Sequence, residues 1–344
     1  MYAIRQYEFG PPAVLRYEQV PDPVAGDGQV TVEVHSAGVH LIDTLIRKGV
    51  AGGPFPLPSL PMTPGREVAG IVTAVGPHVD SAWLGRRVVA HLGQASGGYA
   101  TIAVAEQSSL HDIEGLDSAT AIAMIGTGRT AVGVLELAEM AADDVVLVLA
   151  AAGGLGSLLV QEAVRIGATV VGCASGTATE QMSSKLEKIR SLGAIAVDYS
   201  QAGWADQLRE QLGSTPPTLL LDGVGGSPST QAARLVRPGG RIVQFGYSSG
   251  SPSKVEDEST RGKDTPRNVA DLAEERGIKV SWVLGPRMTD RPGGLRGLET
   301  EALGRAARGE WQPWIQIFAL PNAAGAHAAL EERATTGKVV LDAS

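Results

Sequence analysis

The 344-residue chain is poor in cysteine, in aromatic residues and in positive charge. Its single cysteine, Cys173, excludes a disulfide framework within the chain. Because such usage is typical of a reducing compartment, we expect a cytoplasmic location. Acidic residues outnumber Lys and Arg by 37 to 29, for a net charge of −8. This balance argues against a nucleic-acid partner, since phosphate binding needs concentrated Lys and Arg.

Long uninterrupted apolar runs are also missing. The longest, residues 145–160, is broken by glycines, so we expect no membrane span. The segment Met1–Gln6 lacks the apolar region of a signal peptide, and none is expected. Hydrophobic residues make up 43% of the chain and charged residues 19%, as in an ordinary globular enzyme. The length predicts two domains.

Glycine, by contrast, is abundant, with 44 residues, and one cluster of glycines is the most informative feature. Residues 145–150 predict a buried parallel strand, and the loop 151–156 (Ala-Ala-Gly-Gly-Leu-Gly) leads from it into a helix. A second strand, Thr169–Ala174, follows that helix, so the loop matches a dinucleotide-binding fingerprint better than an ordinary Gly-rich turn. Gly153 lets backbone N–H groups approach a pyrophosphate, and Gly156 lets the helix lie close to the strand. The helix N-terminus would face the phosphates.

The absence of an acidic residue just after the second strand indicates which cofactor the protein binds. An NAD site places Asp or Glu about 20 residues beyond the glycines, to accept from the ribose 2′-hydroxyl. Here Ser175 ends the second strand, and no acid follows until Glu180. Lys185 and Lys188 come next and could neutralise a 2′-phosphate, although a solvated helix face is the commoner position for any lysine. The missing acid favours NADPH.

The remaining pattern predicts an α/β protein. Strands at 30–35, 68–76 and 87–90, separated by Pro- and Gly-rich turns, indicate a partly open β-barrel. From about Ser118 the pattern becomes helical, and alternating strands and helices then predict a doubly wound parallel sheet. Its predicted strands are 145–150, 169–174, 194–198, 218–222, 241–245 and 278–284. The Ser-, Gly- and charge-rich segment 248–267 predicts a mobile loop, and the C-terminal tail is expected to return to the first domain.

An ordered set of short motifs resembles the medium-chain dehydrogenase/reductase superfamily, and within it the zinc-independent NADPH:quinone oxidoreductases related to zeta-crystallin. The motifs are 38–43, 47–49, 64–70, 75–76, 128–131, 151–156, 192–194, 197–199, 222–226, 238–246 and 337–341. The likeness covers nearly the whole chain. It implies a GroES-like catalytic domain over 1–122 and 289–344, and a Rossmann NADPH-binding domain over 123–288. It also implies a homodimer that pairs through the last Rossmann strand.

The resemblance implies an NADPH-dependent oxidoreductase that transfers a hydride to a quinone or another activated conjugated carbonyl. Two alternatives stay open: an enoyl or enone C=C reductase of a biosynthetic pathway, and a non-catalytic NADPH-binding protein. Fingerprint and resemblance together give the candidate cofactor-binding residues Thr130, Ala152, Gly153, Gly154, Leu155, Gly156, Ser175, Lys185, Tyr199, Val224, Phe245, Gly246 and Lys338.

Candidate catalytic residues are His40, Asp43, Arg66 and Thr130. His40 stands where the family usually has Asn, and it could donate a hydrogen bond and a proton to a developing oxyanion, or could simply pack there. Arg66 could bind an anionic substrate group, or pair with Glu67 or Asp43. Asp43 is expected to orient its neighbours, and Thr130 to lie near the nicotinamide or to cap a helix. Leu45 and Arg129 also depart from the family pattern, so the substrate is the least transferable property.

Zinc is not expected. The zinc-dependent relatives use a Cys and a Gly-His-Glu motif, whereas this chain has His40 in the first region and Arg66 at the His position. A catalytic zinc needs three protein ligands within reach of each other, and the scattered His residues do not supply them.

Overall fold

The structure is a computed structural model that describes residues 1–50, 57–93, 95–113, 115–176, 179–248 and 268–344. The chain forms two compact units. The first comprises Met1–Arg129 with Pro292–Ser344, and the second comprises Thr130–Arg291. The segment 248–267, predicted to be a mobile loop, lies outside the described residues except for its first residue.

The strands are β1 (Tyr2–Gln6), β2 (Leu15–Gln19), β3 (Gln29–Val39), β4 (Glu67–Val75), β5 (Arg87–His91), β6 (Ile102–Glu106), β7 (Leu110–Asp112), β8 (Val145–Leu149), β9 (Thr169–Ala174), β10 (Ile195–Asp198), β11 (Leu219–Asp222), β12 (Arg241–Gln244), β13 (Lys279–Trp282), β14 (Ile315–Ala319) and β15 (Lys338–Asp342). Every predicted strand is present, although β3 extends four residues beyond its predicted end, and β1, β2, β6 and β7 were not predicted. The α-helices are α1 (Leu41–Arg47), α2 (Ser118–Ile122), α3 (Arg129–Ala138), α4 (Gly154–Arg165), α5 (Thr179–Ser191), α6 (Trp204–Leu212), α7 (Gly226–Leu235), α8 (Val269–Arg276), α9 (Pro286–Thr289), α10 (Gly294–Ala307) and α11 (Ala323–Glu331).

The first unit is built on a mostly antiparallel sheet. Its order is β14-β15-β3-β4-β5-β7, with β6 also paired to β3, and β1 and β2 form a separate antiparallel pair. Alternate residues of the long strand β3 point into the core, so that Val30, Val32 and Val34 are buried. Strand β15 pairs with β3, with Leu341 opposite Ala37, and brings the C-terminal tail into this unit.

The second unit is a six-stranded parallel sheet in the order β10-β9-β8-β11-β12-β13. Strand β8 is buried along its whole length, as expected for a central strand covered by helices on both faces. Strands β9 and β11 flank β8 on its two sides, so the strand order reverses there. Ligands of such sheets bind at this reversal, outside the carboxyl ends of the strands. The predicted fold class, a GroES-like domain with a Rossmann domain, is confirmed.

The helical region predicted from Ser118 contains a π-helical segment, Ala123–Gly128, between α2 and α3. The sequence pattern did not predict this widened turn, and such segments often occur at functional sites. The continuous helical run Ser118–Ala138 has the length and apolar composition of a membrane span, but 67% of that window is buried inside the protein. It therefore has the surroundings of a core helix.

Candidate functional site

In the second unit, the loop between β8 and α4 brings a helix N-terminus close to the end of a strand. A Cβ at Gly156 would lie 2.2 Å from the carbonyl oxygen of Ala150, so only glycine allows this approach. Gly153 is the N-cap of α4, and no side chain caps this end of the helix. Gly153, Gly154 and Leu155 are half-buried and Ala152 is buried. The first turn of a 12-residue helix can therefore present its N–H groups to an anion.

At the ends of β9 and β10, three of the candidate cofactor residues meet. The hydroxyl of Ser175 donates to the hydroxyl of Tyr199 over 3.0 Å, and the Lys185 ammonium donates to the Ser175 carbonyl over 2.8 Å. Lys185 is buried, whereas Lys188 lies exposed on α5. The cluster offers hydroxyls and one cation to a phosphate. The first acid after β9, Glu180, lies exposed on α5.

The loops after β11 and β12 are organised by one buried carboxylate. Asp222 is fully buried, and it accepts hydrogen bonds from the backbone N–H of Val224 and Gly225, the Ser229 hydroxyl and the Gln244 amide. Four donors compensate the charge for its lost hydration. Candidate Val224 is therefore held rigidly.

The neighbouring loop after β12 packs tightly against this one. A Cβ at Gly223 would lie 2.5 Å from the ring of Phe245, and a Cβ at Gly246 would lie 2.9 Å from the Gly223 carbonyl oxygen. Candidates Phe245 and Gly246 thus lie beside the Val224 loop.

In the first unit, His40, Glu67 and Lys338 form a charged cluster. His40 precedes α1, Glu67 begins β4 and Lys338 begins β15. His40 Nε2 lies 2.7 Å from Glu67 Oε1, and the Lys338 ammonium lies 2.8 Å from His40 Nε2 and 2.9 Å from Glu67 Oε2. The side chains of Glu67 and Lys338 are 0% and 4% exposed, and that of His40 is 28% exposed. The imidazole is the member of the cluster that reaches solvent.

The carboxylate of Glu67 lies between two glycines. A Cβ at Gly38 of β3 would be 1.9 Å from Oε2, and a Cβ at Gly126 of the π-helical segment would be 1.8 Å from Oε1. Both glycines are needed because the carboxylate approaches the backbone so closely. The π-helical segment therefore forms one wall of this cluster.

Burial and charge act in opposite directions on Glu67. Burial would raise the pKa of Glu67, but the neighbouring His40 and Lys338 hold that pKa well below its usual range. Burial lowers the pKa of His91, which pairs with Glu67 in the sheet, to about 4, and nearby Arg129 acts in the same direction. These directions favour an ionised Glu67 and a neutral His91.

Asp43 belongs to a second buried network. Its carboxylate accepts from the backbone N–H of His40 over 2.8 Å and from the Tyr99 hydroxyl over 3.2 Å, and that hydroxyl also lies 3.2 Å from His327 Nε2. Burial raises the pKa of Tyr99 well above its usual range, and the Asp43 charge adds to the effect. Burial lowers the pKa of His327 to about 4. Asp43 thus anchors the backbone at His40.

Arg66 is buried with Asp43 beside an apolar pocket. The Arg66 Nε atom is 3.9 Å from Asp43 Oδ1, a distant ion pair, and Glu67 pairs with His40 and Lys338 instead. The pocket has a volume of about 120 Å³. It is lined by Gln6, Asp43, Ile46, Leu57, Pro58, Met62, Pro64, Gly65, Arg66 and Ser96.

The candidate Thr130 is half-buried in α3 and belongs to the second unit, unlike His40, Asp43 and Arg66. Arg129, the residue before it, donates to Glu299 over 2.7 Å. The other oxygen of Glu299 lies 3.0 Å from His111. Arg129 is therefore held in a partly buried ion pair.

The sequence reasoning missed Glu67, Tyr99, His327 and Gly126 as contributors to the site. Glu67 carries a signal, because it follows Arg66 in the Gly-Arg-Glu motif, but the motif alone indicates only a partner for Arg66. Tyr99 and His327 are 228 residues apart, and no local pattern connects them. Cys173 is buried in the second unit, where burial raises the pKa of its thiol well above the usual range.

The described residues contain no group of three His, Cys, Asp or Glu side chains that could hold a metal ion. The donor set at the Gly-Arg-Glu motif does not fit zinc, because a lysine ammonium lies against both His40 and Glu67. A bound cation there would meet a like charge.

Comparison with known proteins agrees with this architecture. Residues 26–115 match the family described as alcohol dehydrogenase GroES-like domain, and residues 154–287 match the family described as zinc-binding dehydrogenase. A quinone oxidoreductase of Pseudomonas aeruginosa is 31% identical over 337 residues, covering 97% of each chain. The crystal structure of Escherichia coli quinone oxidoreductase complexed with NADPH superposes with a TM-score of 0.82 at 26% identity, covering 99% of this chain and 100% of the other. A structure of an NAD-dependent alcohol dehydrogenase also has a TM-score of 0.82, at 27% identity and 99% coverage of both chains.

Proposed function

Because the chain belongs to the quinone oxidoreductase family of the medium-chain dehydrogenases/reductases, we propose that it is an NADPH-dependent reductase of quinones or other conjugated carbonyls. The observation that carries the proposal is the cluster of Ser175, Tyr199 and Lys185 at the carboxyl ends of β9 and β10 in the second unit, which offers hydroxyls and a cation and no carboxylate. Since the same fold serves an NAD-dependent alcohol dehydrogenase, the residues at the two sites must decide cofactor and substrate.

The residues present fit NADPH. The uncapped N-terminus of α4 suits the pyrophosphate, and Ser175, Lys185 and Tyr199 suit the 2′-phosphate. Val224, Phe245 and Gly246 belong to the rigid loops beside this site. When bound, NADPH supplies the hydride. Thr130 and Lys338 are further proposed contacts of the cofactor.

His40 is proposed to act on the substrate. A quinone or enone oxygen gains negative charge during reduction, and a fixed donor near it lowers the barrier. His40 is suited to this role because its ring is partly exposed, its backbone is held by Asp43 and its Nε2 is enclosed by buried partners. Arg66 and Asp43 are proposed to shape the adjacent pocket. No step is assigned to zinc, because the donor set does not fit it.

The test is NADPH oxidation with two acceptors in parallel, a small 1,4-quinone and an α,β-unsaturated ketone. We expect faster turnover of the quinone. Preference for the enone would make the protein a C=C reductase, and no turnover of either despite tight NADPH binding would favour the non-catalytic alternative. His40→Gln should lower kcat about 10²-fold, the usual cost of losing one donor to a developing oxyanion. The exposed His78→Gln should leave kcat unchanged and serves as the control.

We also propose a homodimer. Strand β13 is the last strand of the parallel sheet within the described part of the chain, and its Val280 is exposed. An open strand edge of this kind favours pairing with a second copy. Light scattering on a sizing column should give twice the 35.6 kDa chain mass, and Val280→Lys should shift the protein toward the monomer.

A cytoplasmic location is proposed from the cysteine content alone, since the single thiol is free and buried. Cell fractionation would test it.

A further inference from the structure

The side chain of Gln181 carries a buried polar atom that the interactions described above leave unused. Gln181 lies in the first turn of α5, and its Oε1 atom is buried without a hydrogen-bond partner among the described residues. A buried amide oxygen loses its hydration, which costs folding free energy unless a donor replaces the water. Such an atom in a native protein therefore indicates a donor that comes from outside the chain.

This oxygen borders the same small space as the ammonium of Lys185. A Cβ added at Gly176 would lie 3.6 Å from Gln181 Oε1 and 3.8 Å from Lys185 Nζ, both ordinary contact distances. Gln181 and Lys185 are four residues apart and therefore lie on one face of α5. Gly176 follows Ser175, whose carbonyl accepts from Lys185 over 2.8 Å. The missing side chain of Gly176 thus leaves a space beside the phosphate-binding cluster that an amide and an ammonium both border.

The two ends of the Gln181 amide suit neighbouring groups of an adenosine ribose. An amide oxygen only accepts hydrogen bonds, and an amide NH2 group only donates them. A 2′-phosphate accepts from the NH2 group, and the 3′-hydroxyl on the next carbon of the sugar can donate to the oxygen. In an NAD site an acidic side chain accepts from the ribose 2′-hydroxyl. Glutamine has the shape of glutamate without the charge, so it keeps the acceptor and does not repel a phosphate.

We propose that Gln181 is a cofactor-binding residue that selects the 2′-phosphorylated dinucleotide. In the complex its NH2 group donates to the 2′-phosphate, and its Oε1 accepts from the 3′-hydroxyl of the same ribose. The inference rests on the proposed function, in which Ser175, Lys185 and Tyr199 hold the 2′-phosphate. The preceding residue, Glu180, is exposed on α5 and does not border the space at Gly176.

The experiment is calorimetric titration of the full-length protein with 2′,5′-ADP and with 5′-AMP, two fragments of the cofactor that differ only in the 2′-phosphate. Gln181→Met removes both amide contacts. It should weaken the binding of 2′,5′-ADP about 30-fold and that of 5′-AMP about 3-fold, because 5′-AMP loses only the neutral contact to its 3′-hydroxyl.

Gln181→Glu keeps the acceptor, removes the donor and adds a negative charge. It should weaken the binding of 2′,5′-ADP about 10²-fold and tighten that of 5′-AMP, so the preference for the phosphorylated fragment is lost. This variant should fold, since a glutamate four residues before Lys185 favours the helix. Because the added carboxylate can also neutralise Lys185, the uncharged Gln181→Met decides whether the amide itself makes the contact.

The matched control is Gln211→Glu, which adds the same charge at an exposed position of α6 in the same unit. It should leave both dissociation constants unchanged. Circular dichroism and thermal melting verify that all three variants are folded before they are titrated.

The outcomes separate this inference from the proposed function. Unchanged binding of 2′,5′-ADP by Gln181→Met would overturn the inference and would mean that water satisfies Oε1. An equal loss for the two fragments would overturn the contact with the 2′-phosphate. Equal binding of the two fragments by the wild-type protein would refute the proposed 2′-phosphate site itself. If Gln181→Met behaves as expected but the wild-type protein reduces no quinone or enone, the cofactor contact stands and the proposed reaction fails.

Discussion

Gly126 lies so close to Glu67 that a Cβ at position 126 would be 1.8 Å from Oε1. The π-helical segment therefore packs against the fully buried carboxylate of the cluster that Glu67 forms with His40 and Lys338. We predict that Gly126→Ala displaces the carboxylate and costs about 1–3 kcal/mol of folding free energy, as overpacking does in well-packed cores. Activity should fall with it, because His40 and Lys338 both depend on Glu67.

The matched control is Gly304→Ala in α10 of the same unit. There the added Cβ would meet only the end of the flexible Arg308 side chain, so alanine should be neutral or slightly stabilising. Urea denaturation followed by circular dichroism measures both variants. Equal stability of the two would contradict the close packing of Gly126 against Glu67.

Lys185 and Lys188 should differ in their effect on cofactor choice. Lys185→Met removes the ammonium beside Ser175 and Tyr199, so the KM for NADPH should rise about 10- to 100-fold while the KM for NADH changes little. Lys188→Met, on the exposed face of α5, is the control and should leave both constants unchanged. A larger effect from Lys188 would move the 2′-phosphate site to that lysine.

Tyr99→Phe tests the network that anchors Asp43. The hydroxyl of Tyr99 links Asp43 to His327 in a fully buried setting, so its loss leaves polar groups unsatisfied and should cost about 1–3 kcal/mol. Tyr7→Phe, whose exposed hydroxyl contacts Glu18, should cost far less. Thermal melting of the two variants measures the difference. Equal midpoints would mean that the Tyr99 hydroxyl contributes no more to stability than an exposed one.

Stability should fall as the pH is lowered from about 6.5 to 4. The pKa of His327 is lowered to about 4 by burial, so in that window the unfolded chain binds a proton that the folded protein does not. His91, whose pKa is also lowered to about 4, adds to the effect. His327→Gln should therefore reduce the slope of unfolding free energy against pH by up to about 1.4 kcal/mol per unit.

His78→Gln, which removes an exposed histidine, is the matched control and should leave that slope unchanged. An unaltered slope in His327→Gln would mean that His327 takes up a proton in the folded state as readily as in the unfolded chain. The free energies come from urea denaturation at a series of pH values.

Much of the second unit was predictable because its signals are local. The run Val145–Leu149 has the composition of a buried parallel strand, and it is one. Gly156 was assigned to a close helix–strand approach, and its neighbour Ala150 lies as close as that requires. Predicted strand ends differ from the observed ones by one or two residues. The predicted strand 278–284, for example, is shorter in the structure, at Lys279–Trp282.

The first unit was less predictable because its site depends on contacts between distant parts of the chain. The sequence pattern predicted a helix at Ala123–Gly128 but not its π-helical form, nor the close approach of Gly126 to Glu67, which lies 59 residues earlier in the chain. Lys338 was expected at the cofactor from the family pattern. Its buried contacts with His40, 298 residues away, follow from the pairing of β15 with β3.

The sequence by itself predicted the fold class, which the structure confirms, and it indicated a dinucleotide-binding loop and a cofactor with a 2′-phosphate. The last two predictions depend on residue types close together in the chain, or on the absence of an acid at one position. Only the tertiary structure decided that His40, Glu67 and Lys338 meet. Electrostatic interactions become strong only where water is excluded, and burial of this cluster is a property of the packed protein rather than of any segment.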